Sequence, residues 1–254
     1  MGVAIVTGSD SGIGRATAVR LAVDGFDVGV TWHDDEDGAH ETAEEVRRHG
    51  RRAEVRGLDL ADLPAAADAI DELADALGSL DALVNNSGTS RHGSMLELSF
   101  DDWRHTLAVD LDGAFLCAQR AARRMVEQGR GGRIVNVTSV HEHTPISNGG
   151  AYTVAKHGLG GLTKQLALEL GRHGITVNSV APGMVATPMT GLEDEEPLHH
   201  PRPQFPIPRP GDAREIAGCI AWLCSPDARW TTGASVVVDG GFMLVNPSAR
   251  PDEE

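Results

Sequence analysis

Residues 3–14 read VAIVTGSDSGIG, and the order of residue types in this stretch decides how the rest of the chain is read. Val3 to Thr7 is a short apolar, β-branched run of the kind that forms a buried strand. Gly8, Gly12 and Gly14 follow, and Ser11 to Asp24 then carries apolar residues at helical spacing: Ile13, Ala16, Val19, Leu21 and Val23. A strand that turns through glycines into a helix aims backbone N–H groups and a helix N-terminus at one point, which suits an anion. The spacing is G-x-x-x-G-x-G rather than the common G-x-G-x-x-G, so its context carries more weight than its letters.

Outward from this turn the same rhythm repeats. Strands are expected at Phe26 to Trp32, Ala53 to Arg56, Ala82 to Val84, Ile134 to Thr138, Ile175 to Val180 and Ser235 to Asp239. Between them, helices are expected at Ala39 to His49, Asp62 to Leu77, Phe100 to Gln128, Ala151 to His173 and Ala213 to Cys224, the last with Asp212 as N-cap. Strands alternating with helices imply a parallel sheet covered on both faces. Nothing marks a boundary, so residues 1–254 read as one α/β domain. Residues 183–211 break the rhythm with Pro188, Pro197, Pro201, Pro203, Pro206, Pro208, Pro210 and the acidic cluster Glu193 to Glu196. A loop this long in a compact domain reads as a substrate lid, and the tail after Asn246 is expected to fray.

The net charge of −15 argues against nucleic acid or anionic membrane as a partner, because both need basic patches. There is no apolar run of about 18 residues for a membrane span. Met1 leads into the first strand without a signal-peptide pattern, and three cysteines (Cys117, Cys219, Cys224) fit a reducing cytoplasm.

The chemistry is expected in Ser139 to Lys156, SVHEHTPISNGGAYTVAK. Tyr152, the chain's one tyrosine, and Lys156 are four residues apart, so on a helix they share a face. A tyrosine with its reference pKa of about 10 is a poor acid–base group, and a nearby ammonium favours its phenolate. Bringing the value to about 7 takes about 4 kcal/mol, more than one lysine supplies, so a second positive group is expected. Ser139 follows a predicted strand and so stands at the strand's C-terminal end, where open α/β sheets bind ligands.

Taken together, T-G-x-x-x-G-I-G at Thr7 to Gly14, Asn85-Asn86-Ser87-Gly88, the Ser139/Tyr152/Lys156 set and Pro182-Gly183 resemble the short-chain dehydrogenase/reductase family from about Val3 to Gly241. The resemblance implies a single-domain Rossmann-like, doubly wound sheet of about seven parallel strands, assembled as a homotetramer in the cytoplasm. It implies NAD(P)(H) as cofactor, the nicotinamide ring supplying the second positive group. Tyr152 would be the acid/base and Ser139 the donor to the substrate oxygen. Lys156 would hold the nicotinamide ribose. Gly8, Ser11, Gly12, Ile13 and Gly14 would cradle the pyrophosphate, Asp59 would bond the adenine, and Leu60, Asn86, Ser87, Gly88, Pro182, Gly183 and Val185 would line the cofactor. Thr187 would hold the carboxamide.

Asp110 stands where the family usually has a catalytic asparagine, and it is expected to join the proton relay as that residue does. At the end of the second strand, where NAD-specific relatives often carry an acid, stand Trp32 and His33. This leans the expectation toward NADP(H), although the turn has no basic residue and Asp34 and Asp35 are close. His141-Glu142-His143 is expected to be a polar pocket wall with His141 near substrate; alternate residues on one short loop do not complete a metal site. His199 and His200 are expected to be solvated. The HEH and TWH runs resemble bacterial glucose dehydrogenase-like and acetoin/diacetyl reductase-like members, which implies a small-molecule carbonyl or alcohol as substrate. Two alternatives stay open: a 3-ketoacyl-acyl-carrier-protein type ketoreductase and a non-catalytic nicotinamide-binding regulator.

Overall fold

The protein is described from a computed structural model, which covers residues 2–89, 93–192 and 196–245. Residues 193–195 of the expected acidic cluster and the tail from Asn246 lie outside the described residues. Seven strands form one parallel sheet: β1 (Val3–Val6), β2 (Asp27–Trp32), β3 (Ala53–Gly57), β4 (Ala82–Asn85), β5 (Gly132–Val137), β6 (Ile175–Pro182) and β7 (Ser235–Val238). Their order is β3-β2-β1-β4-β5-β6-β7. The connecting helices are α1 (Gly12–Val23), α2 (Glu36–Arg48), α3 (Asp68–Leu77), α4 (Phe100–Leu107), α5 (Gly113–Gln128), α6 (Gly150–Leu170) and α7 (Ala213–Cys224).

Two cores follow from covering both faces. One packs Val6, Val28, Val30 and Val84 against Leu21 of α1, Val46 of α2 and Ile216 and Ile220 of α7. The other packs Ile5, Leu83, Ile134 and Val177 against Ile70 and Leu73 of α3, Cys117 and Met125 of α5 and Ala167 of α6. Neighbouring residues of one strand thus serve opposite layers, as Ala4 and Ile5 of β1 do. The central strands are buried along their whole length, as parallel strands are. Burial also pushes the thiols of Cys117 and Cys224 up to about 12, which leaves them inert at neutral pH.

Helix ends explain where sequence expectation and structure differ. The helix expected from Asp62 begins at Asp68, after a 3-10 turn at Ala65–Ala67. Pro64 supplies no N–H and disfavours a helical conformation in Leu63, so the chain turns before it can wind. The helix expected from Phe100 to Gln128 is two helices, α4 and α5, joined by a π turn at Ala108–Asp112. Asp212 does cap α7, accepting a hydrogen bond from the Arg214 N–H (2.8 Å), while Glu215 accepts one from the Asp212 N–H (2.8 Å).

The segment 183–211 is pinned at both ends. Val185 and Gly211 form a parallel bridge, and the Phe205 ring meets Phe242 edge to face at 5.3 Å. Thr190 Oγ1 donates to Val185 O (2.7 Å) and tightens the first turn. His199 is exposed and His200 half-buried.

Leu83, fully buried at the centre of β4, is a direct probe of the second core. Leu83→Ala is expected to cost about 2–5 kcal/mol of unfolding free energy, read as a lower denaturation midpoint in urea.

Candidate active site

Because the strand order reverses between β1 and β4, the loops leaving those two strands part and open a crevice at the C-terminal edge. Thr7 clamps its base. Thr7 Oγ1 accepts hydrogen bonds from the Asn86 and Ser87 N–H groups (2.9 and 3.0 Å), and Asn86 Nδ2 donates to Thr7 O and Gly8 O (3.0 and 2.8 Å). The resulting cleft has a volume of about 570 Å³.

One end is built for an anion. Gly8 and Gly12 have positive φ (58° and 52°), which a glycine adopts without strain. Ser11 stands at the N-cap of α1 without a side-chain cap bond, so the first N–H groups of the helix are left for a ligand in the cleft. Gly14 is required by space rather than by φ: a Cβ there would lie 2.6 Å from Asn86 Nδ2. Gly8, Ser11, Gly12 and Ile13 line the cleft, as do Asp59, Leu60, Asn86, Ser87, Gly88, Pro182, Gly183, Val185 and Thr187. The cradle and its free N–H groups fit the pyrophosphate of a dinucleotide.

Trp32 is not brought to the cleft. Its indole packs on the core and over Gly57, where a Cβ would lie 3.6 Å from Trp32 Cζ2. His33 does line it, with Nε2 3.3 Å from Asp34 Oδ1 and Nδ1 3.8 Å from Asp59 Oδ1. Asp10 and Asp34 also line this end, and both were passed over in the sequence as cofactor contacts. Burial, opposed by hydrogen bonds from its own backbone and from Ser11 and reinforced by Asp35 and Asp34, holds Asp10 above the usual carboxylate range.

The other end holds the candidate catalytic set. Tyr152 and Lys156 lie one turn apart at the start of α6, 9% and 4% exposed, with Lys156 Nζ 5.4 Å from the Tyr152 ring centroid. Ser139 caps the 3-10 turn Val140–Glu142 and accepts a hydrogen bond from the His141 N–H (3.1 Å). With one lone pair so engaged, the hydroxyl proton of Ser139 is directed elsewhere, and the residue lines the cleft beside Tyr152.

Asp110, 1% exposed, sits on the π turn behind them. Its Oδ1 is 3.0 Å from Lys156 Nζ, and its oxygens accept from the Thr89 N–H at 3.2 and 3.3 Å. Burial alone would pull the lysine down. The attraction of Asp110, then of Tyr152, outweighs it, and the ammonium is held above the ordinary lysine value.

The HEH run divides. His141 does not line the cleft, but its ring lies edge-on to Tyr152 at 6.3 Å, with Nδ1 against Thr144 O (3.0 Å). Glu142 points the opposite way, which corrects the expectation that the whole run walls the pocket. Its Oε2 accepts from Thr138, Ser179 and Ser235 hydroxyls at 2.7, 3.0 and 3.0 Å. It fits because α6 has glycine at 160, where a Cβ would lie 2.6 Å from Glu142 Cδ. His143 Nε2 lies 2.9 Å from Ser235 Oγ. Sequence reading also missed Thr89, His105, Met189 and Thr190 as cleft residues; only the lid assignment hinted at the last two.

The chain is similar to known proteins over nearly its whole length. Residues 7–243 match the family described as enoyl-(acyl carrier protein) reductase, adh_short_C2. The uncharacterised oxidoreductase YohF of Escherichia coli (strain K12) is 56% identical over 98% of this chain and 99% of its own. A crystal structure of an acetoin dehydrogenase from Enterobacter cloacae is 59% identical, covers 98% of both chains and superposes with a TM-score of 0.94. A carveol dehydrogenase from Mycobacterium avium, solved in complex with NAD, is 31% identical over 96% of this chain and 98% of that one, with a TM-score of 0.88.

Gly14→Ala is expected to force the first turn open at a cost of about 1–3 kcal/mol. Fluorescence titration with NADH should show dinucleotide binding lost or weakened before the fold is.

Proposed function

The chain belongs to the short-chain dehydrogenase/reductase family, and from that premise we propose that it interconverts a small polar ketone and its alcohol at Ser139, Tyr152 and Lys156. It is an oxidoreductase, and its family uses a nicotinamide cofactor. The observation that carries the reading is the convergence of these three side chains at one end of a cleft whose other end is a glycine-lined anion cradle. When bound, the nicotinamide supplies or accepts the hydride. Ser139, its oxygen already held by the His141 N–H, donates its proton in a hydrogen bond to the carbonyl oxygen and fixes its place. Tyr152 gives that oxygen its proton in reduction and takes it back in oxidation. Lys156, charged and anchored by Asp110, holds positive potential beside the Tyr152 ring and would hold the ribose hydroxyls. Val185 and Thr187, at the start of the 183–211 segment, line the cleft, which supports reading that segment as a substrate lid.

Acetoin, named for the Enterobacter cloacae relative, is the first substrate to try, since it is a small polar hydroxyketone. An acyl-carrier ketoreductase is the competing reading; the description of the matched family names an acyl-carrier-protein substrate, although for enoyl rather than keto reduction. An acidic carrier needs a basic landing face. The chain's charge is −15, and Arg209 of the lid is engaged by both oxygens of Glu215 at 2.8 Å.

For the cofactor, the sequence leaned to NADP(H) because Trp32 replaces an acid. The cleft favours NAD(H). Asp10, Asp34 and Asp59 face the adenosine end, and among the described lining residues Lys156, at the opposite end, is the only lysine or arginine. A 2′-phosphate placed there would meet three carboxylates and one imidazole. Assembly as a homotetramer and a cytoplasmic location are also proposed. Trp230, Val237 and Leu244 stand exposed on and around β7, an edge strand that a second copy would cover. No helix of the described residues is long and apolar enough to cross a membrane.

Following nicotinamide absorbance with acetoin, diacetyl, glucose and an acyl thioester tests the substrate class. Turnover confined to the small ketones supports the proposal, and turnover of the thioester alone overturns it. In the same assay kcat/KM is expected to be at least about tenfold higher with NADH than with NADPH, a difference of about 1.4 kcal/mol. Tyr152→Phe should abolish turnover while leaving NADH binding nearly intact; retention of the wild-type rate would remove Tyr152 from the mechanism.

A further inference from the structure

The buried partner of Lys156 is a carboxylate where the family pattern has a neutral amide, and that difference has an electrostatic consequence. Asp110 and Asn have nearly the same shape, so either could accept the Thr89 N–H and brace the π turn. Only the carboxylate carries charge. Both oxygens of Asp110 accept hydrogen bonds, from Lys156 Nζ and the Thr89 N–H, and among the described residues neither meets an acceptor that a carboxyl proton could serve. The side chain is therefore placed as an anion, with no solvent around it to screen it.

We propose that Asp110 is a positioning residue that offsets part of the Lys156 charge felt at Tyr152, so that the phenolate forms in more alkaline solution than it would above a neutral asparagine. The proposal rests on the reading of Tyr152 as the acid/base, and it adds a direction: reduction, which needs the protonated phenol, stays fast to higher pH, while alcohol oxidation rises late. The same carboxylate fixes where the lysine sits. Gly88 has room for no side chain, since a Cβ there would lie 2.8 Å from Asp110 Oδ1 and 3.3 Å from Lys156 Nζ. The loop after β4 therefore presses directly on the pair.

The charged and titratable groups around it are few. From α6 come Lys156 and Tyr152 themselves; His157 faces out against Thr153 O. From α4 comes His105, which lines the cleft, and from the turn after β5 comes His141, edge-on to Tyr152. Asp112 on the π turn is exposed, and Glu142 is bound away among the hydroxyls of Thr138, Ser179 and Ser235. Asp110 is the one anion in contact with Lys156 among the described residues.

Tyr152 being the only tyrosine, the near-ultraviolet absorbance of the phenolate reports this residue alone in the intact chain, without cofactor or substrate. Titrating wild type and Asp110→Asn side by side, the variant is expected to hold about tenfold more phenolate at a given pH below the midpoint, as removal of a nearby unscreened anion requires. In the oxidation assay the acid limb of kcat/KM should move to lower pH by the same amount. Asp110→Ser, which also removes the charge, should move the midpoint in the same direction and guards against a local effect of the amide. Coincident titration curves for wild type and both folded variants would overturn the proposal and leave Asp110 a structural brace. Because the absorbance readout needs no turnover, that failure is separate from failure of the Tyr152 assignment, which Tyr152→Phe decides.

Discussion

A parallel sheet whose strand order reverses cannot close its surface at the point of reversal. The crossovers after β1 and β2 step one way, the crossover after β3 returns to set β4 on the other side of β1, and the loops at that seam diverge. Everything chemical in the chain sits on that seam or beside it. The anion cradle is the end of β1, the Asn86–Gly88 loop is the end of β4, and Ser139 is the end of β5. The two apolar cores make the seam a fixed frame, and Thr7 ties its two lips together.

Within the frame, charge is distributed with little positive potential to spare. The end of the cleft at His33 is lined with carboxylates, and the end at Tyr152 has one buried ammonium matched by one buried carboxylate. Removing one partner of such a pair strands the other without solvent, which is far costlier than the pair itself. The pair is thus a constraint on the fold as well as on the chemistry. The π turn that delivers Asp110 to Lys156 costs backbone regularity in the long helix and serves to bring the carboxylate to the back of α6.

Much of this was legible in the residue order. The alternation of β-branched runs with helical periods gave the sheet and its layers, and Ser139, Tyr152, Lys156 and the glycine turn could be placed because a strand end and an i,i+4 spacing are local facts. What was hidden was decided by tertiary contacts. The pattern around Val109-Asp110-Leu111 reads as ordinary helix, and nothing in the side-chain spacing reveals the extra residue in the turn. Trp32 packs on the core, and a carboxylate, Asp34, lines the cleft two residues later, after the strand has ended. Glu142 looked like pocket wall because its neighbours are histidines; its true place depended on a glycine eighteen residues away, Gly160, leaving room for it.

The central claim is that one substrate oxygen is held by Ser139 and Tyr152 together, at the far end of the cleft from the glycine cradle. A crystal structure of the protein with NAD and an unreactive acetoin analogue tests it most directly. The account predicts the analogue's oxygen within hydrogen-bond distance of both Ser139 Oγ and the Tyr152 hydroxyl, with the pyrophosphate against the first turn of α1. An analogue bound elsewhere, or a dinucleotide lying away from the Gly8–Gly14 turn, would contradict it.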